Sequence, residues 1–274
     1  MTALTVPARA PSGVRAISPT RQALQLGRRA VLGTLRQPQM WAPSMIFPLI
    51  LCAVNTAALN KAIKGPGGVG PSYLNFALAT VVVQGILFAG SNGGNDLAND
   101  IETGFLDRLV ASPVSRPAIL VGRLGGSTLF GLAQGIFFLF VLGLFGARVK
   151  AGIPGYLVIV LAGMLLALAL GGLSSALALR TGSAEAVQGI SPLFFVFIFL
   201  SSAFFPRSRM SGWFKAIVTA NPITWLIESL RNLVLVGWST RDALRALAIP
   251  AALAVALIAL AVSQLRWRLS EGKK

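Results

Sequence analysis

Long apolar runs separated by short polar stretches restrict what this chain can fold into more than any other feature. Six segments are long enough to cross a lipid bilayer, at about 41–59, 72–90, 117–146, 153–179, 185–205 and 243–265. A crossing helix needs about 20 apolar residues, because about 1.5 Å of rise per residue must cover a hydrocarbon core roughly 30 Å thick. Inside lipid every backbone amide and carbonyl must be paired within the protein, which selects helices over isolated strands. A composition of 55% hydrophobic and 12% charged residues is likewise far from that of a soluble domain. The predicted fold class is an all-α membrane protein with six transmembrane helices.

The formal net charge is +16. In a soluble protein this excess would suggest nucleic acid as a partner. Here Lys and Arg flank the apolar runs, where they meet anionic lipid headgroups and set orientation. No basic domain interleaved with aromatics occurs, so the predicted partners include membrane lipids and no nucleic acid. An even number of spans puts both termini on one side. With the termini inside, 14 of the 24 Lys and Arg are cytoplasmic, and six of the remainder lie in one long outer segment that weighs less. The expected localisation is the plasma membrane, multi-pass, with both termini in the cytoplasm. One cysteine, Cys52, and no histidine rule out an internal disulfide and argue against zinc, haem and His-based catalysis.

Residues 1–19 are rich in Pro, Ala and Ser; they are expected to be disordered and lack the apolar core of a signal peptide. From Thr20 to Gln37, TRQALQLGRRAVLGTLRQ reads as an amphipathic helix. Leu24, Val31 and Leu35 share a stripe, Gln22, Gln25, Arg29 and Arg36 lie elsewhere, and Arg21 and Arg28 flank the stripe where they can snorkel to phosphates. This helix (20–37) is placed on the cytoplasmic membrane surface. The membrane domain then occupies 38–265, followed by a basic tail, 266–274, with Trp267 as an interfacial anchor. Small-residue spacing at Gly122/Gly126 and Gly131/Gly135 allows close packing, either within the bundle or between subunits.

Between the second and third spans lies a polar island, DLANDIETGFLDRLVASPVSRPAILVGR. It holds Asp96, Asp100, Glu102 and Asp107, four of the eight acidic residues. Wound as one helix from Asp96 to Val110, it places Asp96, Asp100 and Asp107 within about 40° of one another, opposite Ile101, Phe105 and Leu109. Two readings stay open: an inter-helix loop solvating its charges, or a docking element for a partner protein.

The outer segment Phe205 to Thr240 contains PRSRMSGWFK, then Asn221-Pro222, then ITWLIESLRNLVLVGW. A seventh span there would carry Glu228 and Arg231 through lipid at roughly 2.5 to 3.5 kcal/mol each. Short outer re-entrant or interfacial helices cost less, with Glu228 and Arg231 predicted to pair at i, i+3. Phe194, Phe195, Phe197 and Phe199 of the fifth segment suit either bundle packing or a translocation path.

No GxxxxGK[ST] loop, HExxH, GxSxG or metal-ligand cluster is present in the sequence. The central turns of the six segments carry no Asp or Glu, which disfavours an ion-coupled carrier acting alone. A membrane-embedded enzyme would need convergent polar groups that are equally lacking. If this chain moves something uphill, the energy comes from another polypeptide. At this point the stretch from Gly104 to Arg123, GFLDRLVASPVSRPAILVGR, resembles the cytoplasmic signature of ABC-2 type permeases, the daunorubicin-resistance-like exporters above all. RQPQMWAPSMIFPLI and FFPRSRMSGWFKAIVTANPITWLIESLRNLVLVG agree with it in order and position. The resemblance implies a non-enzymatic permease subunit, paired as a homodimer or heterodimer with a second permease. Each permease docks on a separate ABC ATPase subunit, which holds ATP and Mg; no cofactor is implied in this chain. It further implies that ATPase coupling falls to Asp96, Asp100, Glu102, Asp107 and Arg108 with Arg28, Arg29 and Arg36, while Ser112, Pro113 and Arg116 match the signature. By the same resemblance Asn221, Pro222, Glu228 and Arg231 belong to outer re-entrant helices closing the exit, and the cargo is an amphiphilic drug, lipid or polyketide-like molecule.

Overall fold

The computed structural model describes residues 36–64, 72–111 and 116–271, together with 25, 27, 28, 32 and 33. Its elements are all helical: α1 (Pro38–Lys64), α2 (Tyr73–Ala89), α3 (Asn92–Glu102), α4 (Phe105–Ala111), α5 (Arg116–Leu144), α6 (Gly152–Thr181), α7 (Ala184–Gln188), α8 (Ser191–Phe199), α9 (Gly212–Ala220), α10 (Pro222–Leu235) and α11 (Thr240–Glu271). A single 3₁₀ turn, Arg207–Arg209, precedes α9. The helix predicted over 20–37 falls mostly outside the described residues.

Among the described residues, five helices are long and apolar enough to cross a membrane: Trp41–Leu59, Tyr73–Glu102, Ile119–Leu144, Gly152–Thr181 and Thr240–Arg268. The predicted span 185–205 is not one of these long helices, so five of the six expected spans are matched by a single long helix. Its apolar stretch reaches only from Ala184 to Phe199 and is interrupted by Gly189 and Ile190. Pro192 in the first turn of α8 has no N–H to continue a preceding helix. Past Phe199 the serines compete for the backbone: Ser201 Oγ donates to the Ile198 carbonyl at 2.6 Å and accepts from the Ala203 N–H at 3.2 Å. The second span is longer than predicted, because α3 continues α2 after a turn at Gly90 and Ser91 and carries the acidic residues into the bundle.

Successive crossings alternate between two ends. At one, the Lys150 and Ala151 N–H groups donate to the Val234 and Leu233 carbonyls at 3.1 and 3.0 Å, and Arg148 N–H donates to Asn75 Oδ1 at 2.8 Å. At the other, the Ala184 N–H donates to Glu102 Oε1 at 2.8 Å and Arg268 donates to the Leu179 carbonyl at 3.1 Å. These are termed the α10 end and the α4 end. Small residues bring α5 onto α6: buried Gly131 lies against Gly163 and Ala167, where an added Cβ would sit 3.3 Å from the Gly163 carbonyl.

The region predicted as re-entrant folds as α9 and α10. Asn221 caps α10, accepting from the Ile223 N–H at 2.9 Å, with Pro222 in the first turn. The Asn221 amide also donates to the Phe197 and Leu200 carbonyls, both at 2.7 Å, so α10 starts where α8 ends. Its far end meets the turn between α5 and α6. The predicted Glu228–Arg231 pair does not form. Glu228 bonds instead to Arg207 at 3.1 Å, and the Arg207 guanidinium lies 4.2 Å from the Trp225 ring centroid. Arg231 faces inward with Ile227 and Val234 and is 6% exposed. Its guanidinium donates to the Phe76 carbonyl (3.1 Å), Thr80 Oγ1 (3.1 Å), and the Ser202 and Ala203 carbonyls (2.9 and 3.0 Å). Five donors in a rigid fork let arginine satisfy acceptors on two other segments at once, which a carboxylate one turn away cannot offer.

Candidate coupling site

The polar island is the junction of α3, α4 and α5. The single helix predicted over 96–110 is two helices meeting at Thr103 and Gly104. Gly104 has φ +66°, a left-handed conformation that ends α3 at low cost only for glycine. Thr103 Oγ1 donates to the Asn99 carbonyl at 2.8 Å. Arg108 spans the corner, donating to the Gly104 and Thr103 carbonyls at 3.3 and 3.4 Å. Leu97, Ala98, Ile101 and Leu106 are buried and weld the corner to α5, α6, α7 and α11.

The break separates the acidic candidates. Asp96 is half-buried and lines a small cavity with Asn92, Arg123, Ser127 and Gln134 among apolar neighbours such as Ile86 and Phe130. Asp100 is ion-paired with Arg123, both side chains largely removed from solvent. Glu102 is exposed but gives one carboxylate oxygen to the N-terminus of α7, where its charge also suits the helix dipole. Asp107 and Arg108 are exposed on α4. Of the basic candidates, Arg28 and Arg36 are exposed, and Arg29 lies outside the described residues, as do Ser112 and Pro113. Arg116 opens α5. A Cβ at Gly27 would stand 3.2 Å from the Gly122 carbonyl, so the segment before α1 touches α5 one residue from Arg123. The structure thus turns Asp96 and Asp100 inward, ties α3 to α5 through Asp100 and to α7 through the exposed Glu102, and leaves Asp107, Arg108, Arg28 and Arg36 facing out.

Such a corner can receive a push and pass it on. Four apolar side chains and two polar brackets tie it to four other helices, while its outer side is charged. Among the described residues, no group of His, Cys, Asp and Glu side chains could hold a metal ion.

A family model described as ABC-2 type transporter matches residues 21–235. The chain belongs to the ABC-2 type transporter family. A daunorubicin resistance ABC transporter permease of Streptomyces coeruleorubidus is 28% identical over 210 residues, covering 75% of this chain and 72% of that protein. A chain named as a transport permease in Porphyra purpurea is 27% identical over 208 residues, 75% of this chain and 71% of the other. One named for doxorubicin resistance as an ABC transporter permease in Mycobacterium tuberculosis is 23% identical over 163 residues, 59% of each.

In this ABC-2 permease the partners of two named arginines escaped the reading of residues. Arg123 is the partner of Asp100, and its signal was a lone cation in the first turns of an apolar helix. Arg231 is an interior anchor; its signal was the apolar face of ITWLIESLRNLVLVGW, on which it lies one turn from Ile227 and Val234.

Proposed function

We propose that this chain is the membrane-spanning subunit of an ATP-driven exporter that moves an amphiphilic drug, lipid or polyketide-like molecule outward. ATP and its magnesium belong to a separate ABC ATPase chain, since this sequence holds no phosphate-binding loop. The observation that carries the reading is the α3–α4 corner: a charged outer side welded by Leu97, Ala98, Ile101 and Leu106 to the bundle, in a chain of this family. The ATPase docks on Asp107 and Arg108 with Arg28, Arg29 and Arg36, on the cytoplasmic side of the plasma membrane with both termini. Nucleotide-driven closure of the ATPase shifts the corner, and Glu102 and Asp100 pass that shift to α7 and α5.

The cargo class is supported by the surface of α1 and α8. Phe47, Phe195, Phe197 and Phe199 are exposed there, and Phe88 stacks on Phe195 with ring centroids 4.1 Å apart. This face suits a lipid-like cargo passing between two permeases, identical or not. The relatives' names for daunorubicin and doxorubicin resistance favour flat aromatic amphiphiles. Asn221, Pro222, Glu228 and Arg231 position α9 and α10 as short re-entrant helices at the exit.

Copurification with an ATPase subunit, followed by reconstitution in liposomes with and without that subunit, tests the proposal. Export is expected only with the ATPase and ATP; transport by the permease alone overturns it. Reversing the charges of Asp107 and Arg108 together is expected to lower ATPase capture about tenfold while leaving the bundle folded by circular dichroism, a loss of the size expected for a few exposed contacts.

A further inference from the structure

The buried apolar side chains form two separate cores stacked along the bundle. One, at the α10 end, contains Ile86 and Leu87 of α2, Phe138 of α5, Leu170 of α6, Phe194 of α8 and Ala246 of α11. The other, at the α4 end, contains Leu97 of α3, Leu124 of α5, Ala176 of α6, Val187 of α7 and Ala261 of α11. Between them every one of these crossings changes character. The second span turns at Gly90 and Ser91 and continues through Gly93, Gly94 and Asn95; α6 has Gly171, Gly172, Ser174 and Ser175; α5 has Ser127, Gly131 and Gln134. The α7–α8 segment turns at Gly189 and Ile190, and α11 carries Pro250 within its helix.

The layer is close-packed at Gly94 and Gly171 but also holds the small cavity beside Asp96. A Cβ at Gly94 would sit 2.6 Å from the Ser174 carbonyl, and one at Gly171 would sit 2.9 Å from Ser127 Cβ. Backbone meets small side chain at these two contacts. It also contains buried polar atoms with no hydrogen-bond partner, Asn95 Oδ1 and Gln134 Oε1. Unmet acceptors keep such a layer weaker than a filled apolar core. The two helix interruptions face each other: Ser191 Oγ lies 3.1 Å from Ser91 Oγ.

We propose that this layer is a hinge, with Ser91 and Ser191 at its pivot, about which α3, α4 and α7, with the ends of α5, α6 and α11 that share their core, move as one lobe against α2, α8 and α10. Glu102 joins α3 to α7 within the moving lobe. On the other side, Arg231 and Thr80 hold α2, residues 202–203 and α10 together, so the outer lobe resists the motion. The layering stands on the fold alone; its use in transmitting an ATPase stroke rests on the function proposed above.

Hydrogen exchange on the full chain in lipid nanodiscs tests the hinge without any partner. Amides of 92–111 and 184–188 are expected to open together, about tenfold faster than those of α2 and α10, with the boundary at 90–91 and 190–191. The Ser91→Ala/Ser191→Ala pair is expected to speed exchange of α3, α4 and α7 together by about fivefold and leave α2 and α10 unchanged, the size set by one part-buried hydrogen bond. Uniform protection across 90–91, or α7 exchanging independently of α3, overturns the hinge. With a captured ATPase and a non-hydrolysable ATP analogue, exchange in α3, α4 and α7 is expected to shift as a block. A bound ATPase that leaves this block unaltered overturns the hinge, whereas failure to capture any ATPase overturns the proposed function and leaves the exchange boundary standing.

Discussion

Arg231 carries a full charge into the packed region between α2 and α10 without an acidic partner at hydrogen-bond distance. Its four acceptors are three carbonyls and one hydroxyl, and its guanidinium lies 3.7 Å from the Phe76 ring centroid. An arrangement that satisfies a charge by dipoles alone is intolerant of truncation, because both the donor and the acceptors lose their partners. Arg231→Met keeps the length and removes the donors, and is expected to cost about 3 kcal/mol, read as a lowered unfolding midpoint in detergent. Arg231→Lys should recover only part of this, since a point charge cannot serve two segments at once. Asp100 and Arg123 present the opposite case, a charge pair beside the small cavity that Arg123 lines. A double-mutant cycle with Asp100→Asn and Arg123→Gln should give a coupling of about 1 to 2 kcal/mol. Additive single effects would show that the pair contributes nothing to holding α3 against α5.

At the scale of elements, the helix breaks decide which surfaces face outward. Gly104→Ala forces a Cβ into the left-handed region and is expected to destabilise by about 1 kcal/mol. The same change is expected to lower ATPase capture as well, because it re-aims α4; unaltered capture would mean that α4 is not the docking element. The four long predicted spans at 41–59, 117–146, 153–179 and 243–265 are legible because apolar length alone selects a membrane helix. The extension of the second span through α3 is not, because its inner half reads NGGNDLANDIE, polar by composition, and becomes buried only through packing of Gly93 and Gly94 on α5 and α6. The fifth segment misleads in the other direction. SPLFFVFIF is as apolar as any span, yet Gly189, Pro192 and the two serines after Leu200 set its length. The coupling candidates divide for the same reason. Asp107 and Arg108 are exposed, as a loop reading expects, whereas Asp96 and Asp100 turn inward once Gly104 breaks the acidic stripe. Arg231 shows a limit of pairing by sequence spacing, since i, i+3 proximity to Glu228 says nothing of acceptors 28 and 155 residues away.

At the scale of the molecule, alternation of the crossings places two sets of residues at opposite ends, with five long helices among the described residues. With five full crossings alone the termini would lie on opposite sides; α7 and α8 together with the return of α10 bring the chain from the α4 end back to the α10 end before α11 begins. The Glu102–Ala184 bond at one end and the Lys150–Val234 bond at the other require this path. Cys52 is 4% exposed, so a charged thiol reagent should leave the parent chain unmodified and make it a quiet background. Single cysteines at the exposed positions Asp107 and Thr181 are then expected to be labelled from one side of sealed vesicles, and those at Trp213 and Trp238 from the other. In intact cells the second pair should react and the first should react only after permeabilisation, because an ATPase fed by cellular ATP must reach α4 from within. Labelling of Asp107→Cys in intact cells would put the corner outside, where no nucleotide-driven partner can act on it, and would leave the charged face of α4 without the role argued for it.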